Sequence, residues 1–295
     1  MSRGLRIMDD ELRVMLNHTS SREETCRRLL RVMRTQQPFI DLSLDPQLLL
    51  VNHNIRLPID LRPTSAFHAA HHALSALRIL LLFADDYPDL YAATLAVWPD
   101  AWRWAAFFHP KFKNVTHSDL ASLLPGVNVV IAACAHVEGR QLVLETQDAC
   151  HLLLDLWLNL FDYIPKISAS ASPEQLQELD HSLARTICNF VRDIPEKENN
   201  PGHPRVIFLV DNALLAAGGN VRKLYRKALS ERFIHFTLQK PFPMDAFGRC
   251  LADTHEFISI LPGPPRDVVY TLIESWNVSS TLTENFRFRR SSALG

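Results

Sequence analysis

Residues 64–84 constrain the fold more than any other part of the chain, because they predict a helix that is apolar around most of its circumference. Two apolar rows recur at the three- and four-residue steps of a helical face, and they comprise Phe67, Ala70, Leu74, Leu77, Leu81 and Ala84 in one row and Ala73, Ala76, Leu80 and Phe83 beside it. The polar stripe is narrow and consists of His68, His72 and Ser75. Such a helix must be covered by neighbours on several sides.

The length of this helix, about 21 residues with Thr64 as a candidate cap, would also allow it to span a membrane. Its histidines, Arg78 and the acidic pair Asp85 and Asp86 at its end favour a buried helix of a soluble protein instead. We therefore expect no membrane partner.

Prolines divide the residues that follow into two shorter helices. Pro88 suits a first helical turn, where its missing amide has no partner to lose, and it predicts a helix over residues 88–97. Pro99 repeats this arrangement, with Asp100 adding negative charge near the positive end of the helix dipole. Pro110 ends the second helix, so the segment is predicted to be three helices joined by short turns.

The composition is that of an ordinary globular chain, with 295 residues, 47% apolar, and a net charge of -1. A charge this close to zero gives no general attraction to nucleic acid or anionic lipid. The 9 glycines leave few positions for phosphate-binding loops or β-turns, which favours helices. The 5 cysteines lie far apart, lack the paired spacing of a zinc site and suit the reduced thiols of an intracellular protein in the cytoplasm or nucleus.

Further amphipathic or capped segments predict helices along the rest of the chain, at residues 9–17, 20–37, 46–51, 118–137, 146–162, 173–194, 204–217, 220–240, 244–261 and 267–276. Pro125 and Gly126 are expected to interrupt or bend the helix over residues 118–137, and Gly139 is expected to end it. Thr146 is a candidate cap for the helix that follows, and Ser172 is a candidate cap for the helix after that.

Residues 205–211, with the sequence RVIFLVD, are the one stretch that could form a buried strand. A strand that ends in aspartate would suggest an α/β enzyme. No similar runs elsewhere supply neighbouring strands, and a lone strand leaves both its edges unpaired. We therefore predict a helix from Pro204 to Ala217, stopped by Gly218 and Gly219 in the left-handed conformation.

These segments amount to about ten to twelve helices joined by short connections, which predicts an all-α chain. Helices in series that are apolar on more than one side are typical of an α-solenoid of the armadillo or HEAT type, with degenerate repeats because no consensus recurs. An irregular compact helical bundle is the competing architecture. We expect one elongated domain over residues 1–295, with a candidate subdomain break at 195–204 and frayed ends at 1–8 and 286–295.

Histidines supply the sharpest candidate for chemistry. His68 and His72 lie one helical turn apart, the spacing that lets two imidazoles bind one metal ion, but the sequence HAAHH lacks the glutamate of a metalloprotease helix. Nothing fixes a third ligand. We therefore predict no metal, no cofactor and no catalytic residue, and we keep as an alternative an enzyme with a buried helical pocket around His68, His72 and His151.

Two groups of side chains are candidates for binding a partner, although packing and solvent exposure also explain them. They are Trp98, Trp102 and Trp104 in the proline-rich segment, and the basic run Arg222, Lys223, Arg226 and Lys227. Nucleic-acid binding through the basic run is a weaker alternative.

The segment WPDAWRW, followed by an apolar run to Phe108, resembles the helical region that precedes the zinc finger in MYND-finger proteins of mushroom-forming fungi. The resemblance implies a long, repeat-like helical region. It departs from the family in one respect, because the finger cysteines are missing, so zinc binding cannot be assigned to any residue here. The resemblance implies a finger-less member or a truncated product.

The leading interpretation is a non-enzymatic, helical-repeat scaffold that binds another protein. It depends on the helix-on-helix burial that the apolar segments demand and on the failure of any catalytic motif to assemble.

Overall fold

The computed structural model describes residues 42–61, 66–83, 88–117, 120–163, 172–194, 202–228, 257–258 and 260–262. Among these residues 77% are helical and none forms a strand, which confirms the predicted all-α class. The chain divides into two compact units, residues 1–193 and residues 194–295. The single elongated domain with a break at 195–204 stays a prediction, and the helices predicted before residue 42 and after residue 262 lie outside the described residues.

The first unit contains eight described α-helices, and the second contains one, followed by a helical segment at residues 221–228. They are α1 (Pro46–Asn52), α2 (Ala66–Phe83), α3 (Pro88–Leu95), α4 (Trp98–Phe107), α5 (Leu120–Ala133), α6 (Val137–Glu145), α7 (Ala149–Tyr163), α8 (Pro173–Arg192) and α9 (Pro204–Ala216). A 3-10 turn at Pro110–Phe112 follows α4.

Local capping signals explain where several of these helices begin. Asp45 accepts a 2.8 Å hydrogen bond from the amide of Gln47, which satisfies a first-turn donor of α1. Ser172 and Gln175 form a reciprocal capping box at the start of α8. The predicted cap at Thr64 lies outside the described residues.

The apolar run at residues 205–211 belongs to α9, so the helical interpretation is confirmed and the strand is excluded. His203 is the N-cap of this helix, and its side chain accepts a hydrogen bond from the amide of Arg205. Gly218 and Gly219 follow its end with φ of 64° and 75°, the left-handed conformation that glycine adopts without steric cost.

The α5 helix lies at the centre of the first unit. It packs against α2, α4, α6 and α8, while α2 also packs against α3 and α4, and α7 packs against α4, α6, α8 and the 3-10 turn. The two predicted apolar rows of α2 are buried wherever their side chains are described. Neighbouring helices therefore bury both α2 and α5 on several sides.

The expected interruption of the helix at Pro125 and Gly126 was wrong, because Pro125 lies inside α5 and one continuous helix includes residues on both of its sides. The expected roles of Gly139 and Thr146 were also wrong, because Gly139 lies inside α6 and Thr146 closes α6 instead of starting α7. The chain turns sharply between Ala133 and Val137, and the two helices form a pair bent by 117°.

No single helix among the described residues is both long and apolar enough to cross a membrane. The helices α5 and α6 reach that length and composition only when they are taken together across their bend.

Gly139 is required by a close approach between α6, the end of α5 and α3. A Cβ atom at this position would lie 1.8 Å from the carbonyl oxygen of Ala133 and 2.5 Å from the hydroxyl of Tyr91. The first of these neighbours is backbone, which cannot rotate away. The sequence pattern predicted a helix end because glycine often has that role, but here packing between helices explains it.

Arg140 joins three helices through one guanidinium group. Its Nε and Nη2 atoms donate to the two carboxylate oxygens of Asp193 at 2.5 and 3.0 Å, just after the end of α8. Its Nη1 atom donates to the carbonyls of Cys134 and Ala135 at 3.0 and 3.1 Å, which satisfies acceptors at the end of α5. Both side chains of the ion pair are largely buried, with 11% and 23% of their surface exposed.

We predict that Gly139→Ala lowers the free energy of unfolding by about 3 kcal/mol, because the new methyl group must displace backbone. The matched control is Gly126→Ala in α5, where the nearest atoms to an added Cβ lie at 3.6 Å and α-helical propensity favours alanine by about 0.5–1 kcal/mol. Urea unfolding followed by circular dichroism measures both. Equal midpoints for the two variants would contradict the assigned close approach.

We also predict that Arg140→Ala costs about 3–5 kcal/mol, because it leaves the Asp193 carboxylate without its partner in a largely buried position. Its control is Arg103→Ala, which removes the ion pair with Asp100 on an exposed turn of α4 and costs about 0.5 kcal/mol. Thermal unfolding of the two variants compares them directly. A melting temperature for Arg140→Ala as high as that of Arg103→Ala would show that Arg140 does not join the helices.

Candidate functional site

An open groove with a volume of about 320 Å³ runs over α5 between α2 and α8. It is lined by Arg78, Leu82, Asn128, Ile131, Ala132, Cys134, Ala135, Ser182, Arg185, Thr186 and Asn189. Its volume lies at the lower end of the range typical of ligand sites. The floor on α5 is mostly apolar but includes Asn128, and the walls on α2 and α8 are mostly polar, which is the usual composition of a binding surface.

The charged residues that line this groove in the described part of the chain are two arginines. Arg78 on α2 and Arg185 on α8 are both exposed, and no described carboxylate lines the groove with them. Within the described ranges neither guanidinium takes part in an ion pair. The groove is therefore a local region of positive charge on a chain whose net charge is -1.

Ala132 on α5 lines the groove together with the two arginines. A small residue between two long cationic ones keeps the floor of the groove low.

Amide and hydroxyl groups complete the lining. Asn128 on α5 is half-buried, and its side chain makes no hydrogen bond with another described residue. Asn189 accepts a 3.0 Å bond from Arg192, which leaves the donor side of its amide open. Thr186 donates to the carbonyl of Ser182 at 2.8 Å and retains its acceptor capacity. The groove therefore offers both donors and acceptors between its two cations.

The histidines of α2 contact one another and α5. The Nε2 atoms of His68 and His72 lie 2.7 Å apart, and His71 donates to the carbonyl of Ser122 at 2.9 Å. His151 lies on α7 instead, with its Nε2 atom 2.6 Å from Nζ of Lys111. No group of three metal-binding side chains is present among the described residues. The enzyme pocket around His68, His72 and His151 stays a prediction.

Two histidines serve as hydrogen-bond donors between helices. His71 and His109 are 9% and 8% exposed, and burial lowers the pKa of each to about 4. Their bonds to the carbonyls of Ser122 and Leu152 raise the pKa but do not outweigh burial, because the charged form loses its water. Both imidazoles are therefore neutral at neutral pH.

A buried carboxylate lies on the polar side of α7. Asp155 is 5% exposed and accepts hydrogen bonds from the hydroxyl of Tyr163 at 2.6 Å and from the amide of Asn159 at 3.1 Å. Nζ of Lys111 lies 3.8 Å from the same carboxylate. Burial and this carboxylate raise the pKa of Tyr163. Asp155 thus has the partners that a buried carboxylate requires.

The three candidate tryptophans differ in exposure. Trp98 and Trp104 are 2% and 0% exposed, and their indole nitrogens donate to Thr146 and to the carbonyl of Leu42 at 2.9 and 3.0 Å. Trp102 is half-buried, with its ring 6.1 Å from that of Trp98. Of the three, Trp102 has the side chain that reaches the surface.

The basic run lies on the helical segment at residues 221–228 of the second unit. Arg222 and Arg226 are exposed, while Lys223 and Lys227 are half-buried. Asn220 caps the segment by accepting from the amide of Lys223 at 3.2 Å. Partner binding or nucleic-acid binding through these residues stays a prediction.

In comparisons with known proteins, no family model, no curated protein and no solved structure matches the chain. The resemblance to the helical region of fungal MYND-finger proteins therefore stays a prediction.

Sequence reasoning placed no site at the α2–α5–α8 groove, although it identified Arg78 as a polar residue on an apolar helix. Arg78, Asn128 and Arg185 come from three helices that are far apart in the chain. No local pattern in the sequence relates them, because the groove exists only once the three helices pack together.

We predict that the free energy of unfolding falls as the pH is lowered from 6.5 to 4. In this window the unfolded chain binds protons on His71 and His109 while the folded protein does not, and the loss is about 3 kcal/mol for each histidine. Above pH 6.5 both forms are neutral and the stability is retained. Urea unfolding at pH 7.0, 5.5 and 4.5 measures the slope.

The variant His71→Gln retains a donor for the carbonyl of Ser122 but cannot titrate, so it reduces this slope. The control His53→Gln changes an exposed histidine and leaves the slope as it is. An equal pH dependence in all three proteins would show that His71 is not held neutral by the fold.

Proposed function

We propose that residues 42–193 form an armadillo-like helical-repeat scaffold that binds another protein and has no enzymatic activity of its own. The supporting observation is a period of about fifty residues in the first unit. Helices α1, α4 and α7 begin at Pro46, Trp98 and Ala149, and helices α2, α5 and α8 begin at Ala66, Leu120 and Pro173. Helices α3 and α6, which begin at Pro88 and Val137, follow the same spacing.

The packing of the helices follows this period. Helix α1 packs against α4, α4 against α7, α2 against α5, and α5 against α8, so that partners lie three helices apart. Helices α3 and α6 also meet, because the rings of Tyr91 and His136 lie 4.6 Å apart. Three rows of corresponding helices are the arrangement expected when units of three helices are stacked.

Side-chain hydrogen bonds to residues distant in the sequence, at either a side chain or a backbone carbonyl, support the same period. In the first unit they join residues 40, 43, 48, 51, 53 and 62 positions apart. The loops after α1 and after the 3-10 turn are joined in the same way, by a parallel bridge between Ile59 and Val115. In a stack each unit contacts the next one, so the residues joined by hydrogen bonds lie about one repeat length apart in the sequence. An irregular bundle predicts no such common distance along the sequence.

Stacking also explains why binding is the function we favour. A stack of repeats leaves the edges of each row as an extended surface, and such surfaces bind partners. The buried charged groups of Asp155 and Arg140 in the first unit have structural partners. We also propose a relationship to the helical region of MYND-finger proteins, on the basis of the segment Trp98–Phe108 alone. Such a relationship would agree with a repeat architecture.

An intracellular location is part of the proposal. Cys134 and Cys150 are free and buried, Cys188 is buried as well, and burial raises the pKa of Cys150 to about 12. Thiols in this state pack as small apolar groups, which suits a reducing compartment such as the cytoplasm or nucleus.

Affinity purification of the full chain tests the proposal, followed by reconstitution with purified components and crosslinking mass spectrometry. We expect a protein that binds in a defined stoichiometry, with crosslinks that fall within residues 42–193. The matched incubation of the purified chain with a panel of small metabolites is expected to show no turnover.

Two results would replace this proposal by one of its alternatives. Turnover of a small molecule without any reconstituted partner, together with a stoichiometric metal lost in His72→Ala, would favour the enzyme. A salt-sensitive gel shift abolished by Arg222→Glu with Arg226→Glu would favour nucleic-acid binding through the second unit.

A further inference from the structure

We propose that the α2–α5–α8 groove binds an extended acidic peptide segment of the partner, with one carboxylate held by Arg78 and a second by Arg185. This inference rests on the proposed scaffold function and assigns its binding site and the class of its ligand. The charge, the hydrogen-bonding capacity and the width of the groove all point to such a ligand.

Charge complementarity identifies the ligand as anionic. Arg78 and Arg185 are exposed at the two sides of the groove and have no ion-pair partner among the described residues, and the described lining contains no carboxylate. A guanidinium group presents a planar fork of donors that matches the two oxygens of a carboxylate. Glutamate or aspartate side chains are therefore the natural partners of both residues.

The floor of the groove favours a peptide over other anions. Asn128 lies on α5 with its amide unpaired in the described structure, and an amide side chain can donate to a backbone carbonyl while it accepts from a backbone N–H. Ser182 and Asn189 add hydrogen-bonding groups along α8. Nucleic acid binds through a long row of phosphate contacts, whereas this groove provides two cations.

The geometry of the three helices sets the length of the segment. Packed helices lie about 8–10 Å apart, so α2 and α8 on either side of α5 are separated by roughly 15–20 Å. An extended chain rises about 3.3 Å per residue and crosses that distance in about five or six residues. Ala132 on α5 also lines the groove, and its small side chain occupies little of this path.

A peptide-display selection against the full chain tests the inference, using random ten-residue peptides. We expect enrichment of pairs of acidic residues about five positions apart. The affinity of a selected fluorescein-labelled peptide is then measured by fluorescence anisotropy. The double variant Arg78→Glu with Arg185→Glu should weaken this affinity at least ~100-fold, since each charge-assisted contact contributes about a factor of ten or more.

Two controls separate the site from a general effect of charge. Arg56→Glu with Lys113→Glu makes the same change of charge at exposed positions of the first unit that do not line the groove, and it should leave the affinity within about twofold. A peptide with lysine in place of its acidic residues should bind the double groove variant more tightly than the unchanged protein. Circular dichroism spectra of all variants confirm that each is folded.

The inference is overturned if the selected peptides lack acidic residues, if the groove variant binds them as the unchanged protein does, or if the selection enriches no peptide. It is also overturned if a single-stranded oligonucleotide displaces the peptide from the groove.

If a reconstituted protein partner binds the groove variant normally, the scaffold proposal stands and only the assigned site is wrong. If no peptide and no protein partner bind, both proposals fall.

Discussion

The burial of α5 from several sides is the interaction on which the rest of the first unit depends. Its residues are apolar around nearly the whole circumference, including Leu123, Val127, Val129 and Val130, and such a helix is stable only when neighbours cover it. Helices α2, α4, α6 and α8 supply that cover. Helix α2 has the same property, and the pair therefore specifies a layered arrangement in which the most apolar helices face each other instead of solvent.

Polar groups buried among apolar helices lose their hydrogen bonds to water. In the first unit, hydrogen bonds between helices replace them. His71, His109 and Trp104 each donate to a carbonyl that lies 51, 43 and 62 positions away along the chain, respectively. The two imidazoles donate as neutral rings, because burial disfavours their charged form. The histidine-rich sequence that resembled a metal site is in this respect part of the packing.

The sequence could predict the helices of this fold because their signals are local. Apolar spacing identified α2, α7 and α8, and caps such as Ser172 marked where helices begin. Gly139 was misjudged because its role depends on Ala133 and Tyr91, which contact it only in the folded chain. The groove was missed for the same reason, since nothing in the sequence relates Arg78 to Arg185 before three helices are packed together.

In the proposed stack of helices, single positions would link stability to binding. Ala132 must be small, because its side chain is 3% exposed among close neighbours, and the same small size leaves space between the flanking arginines. The flanking positions are free to carry long cations, since α2 and α8 turn that part of their surface to solvent. In the proposed scaffold, packing and binding thus depend on different helices. The central helix α5 is buried by its neighbours, and α2 and α8 would supply the charge that selects a partner.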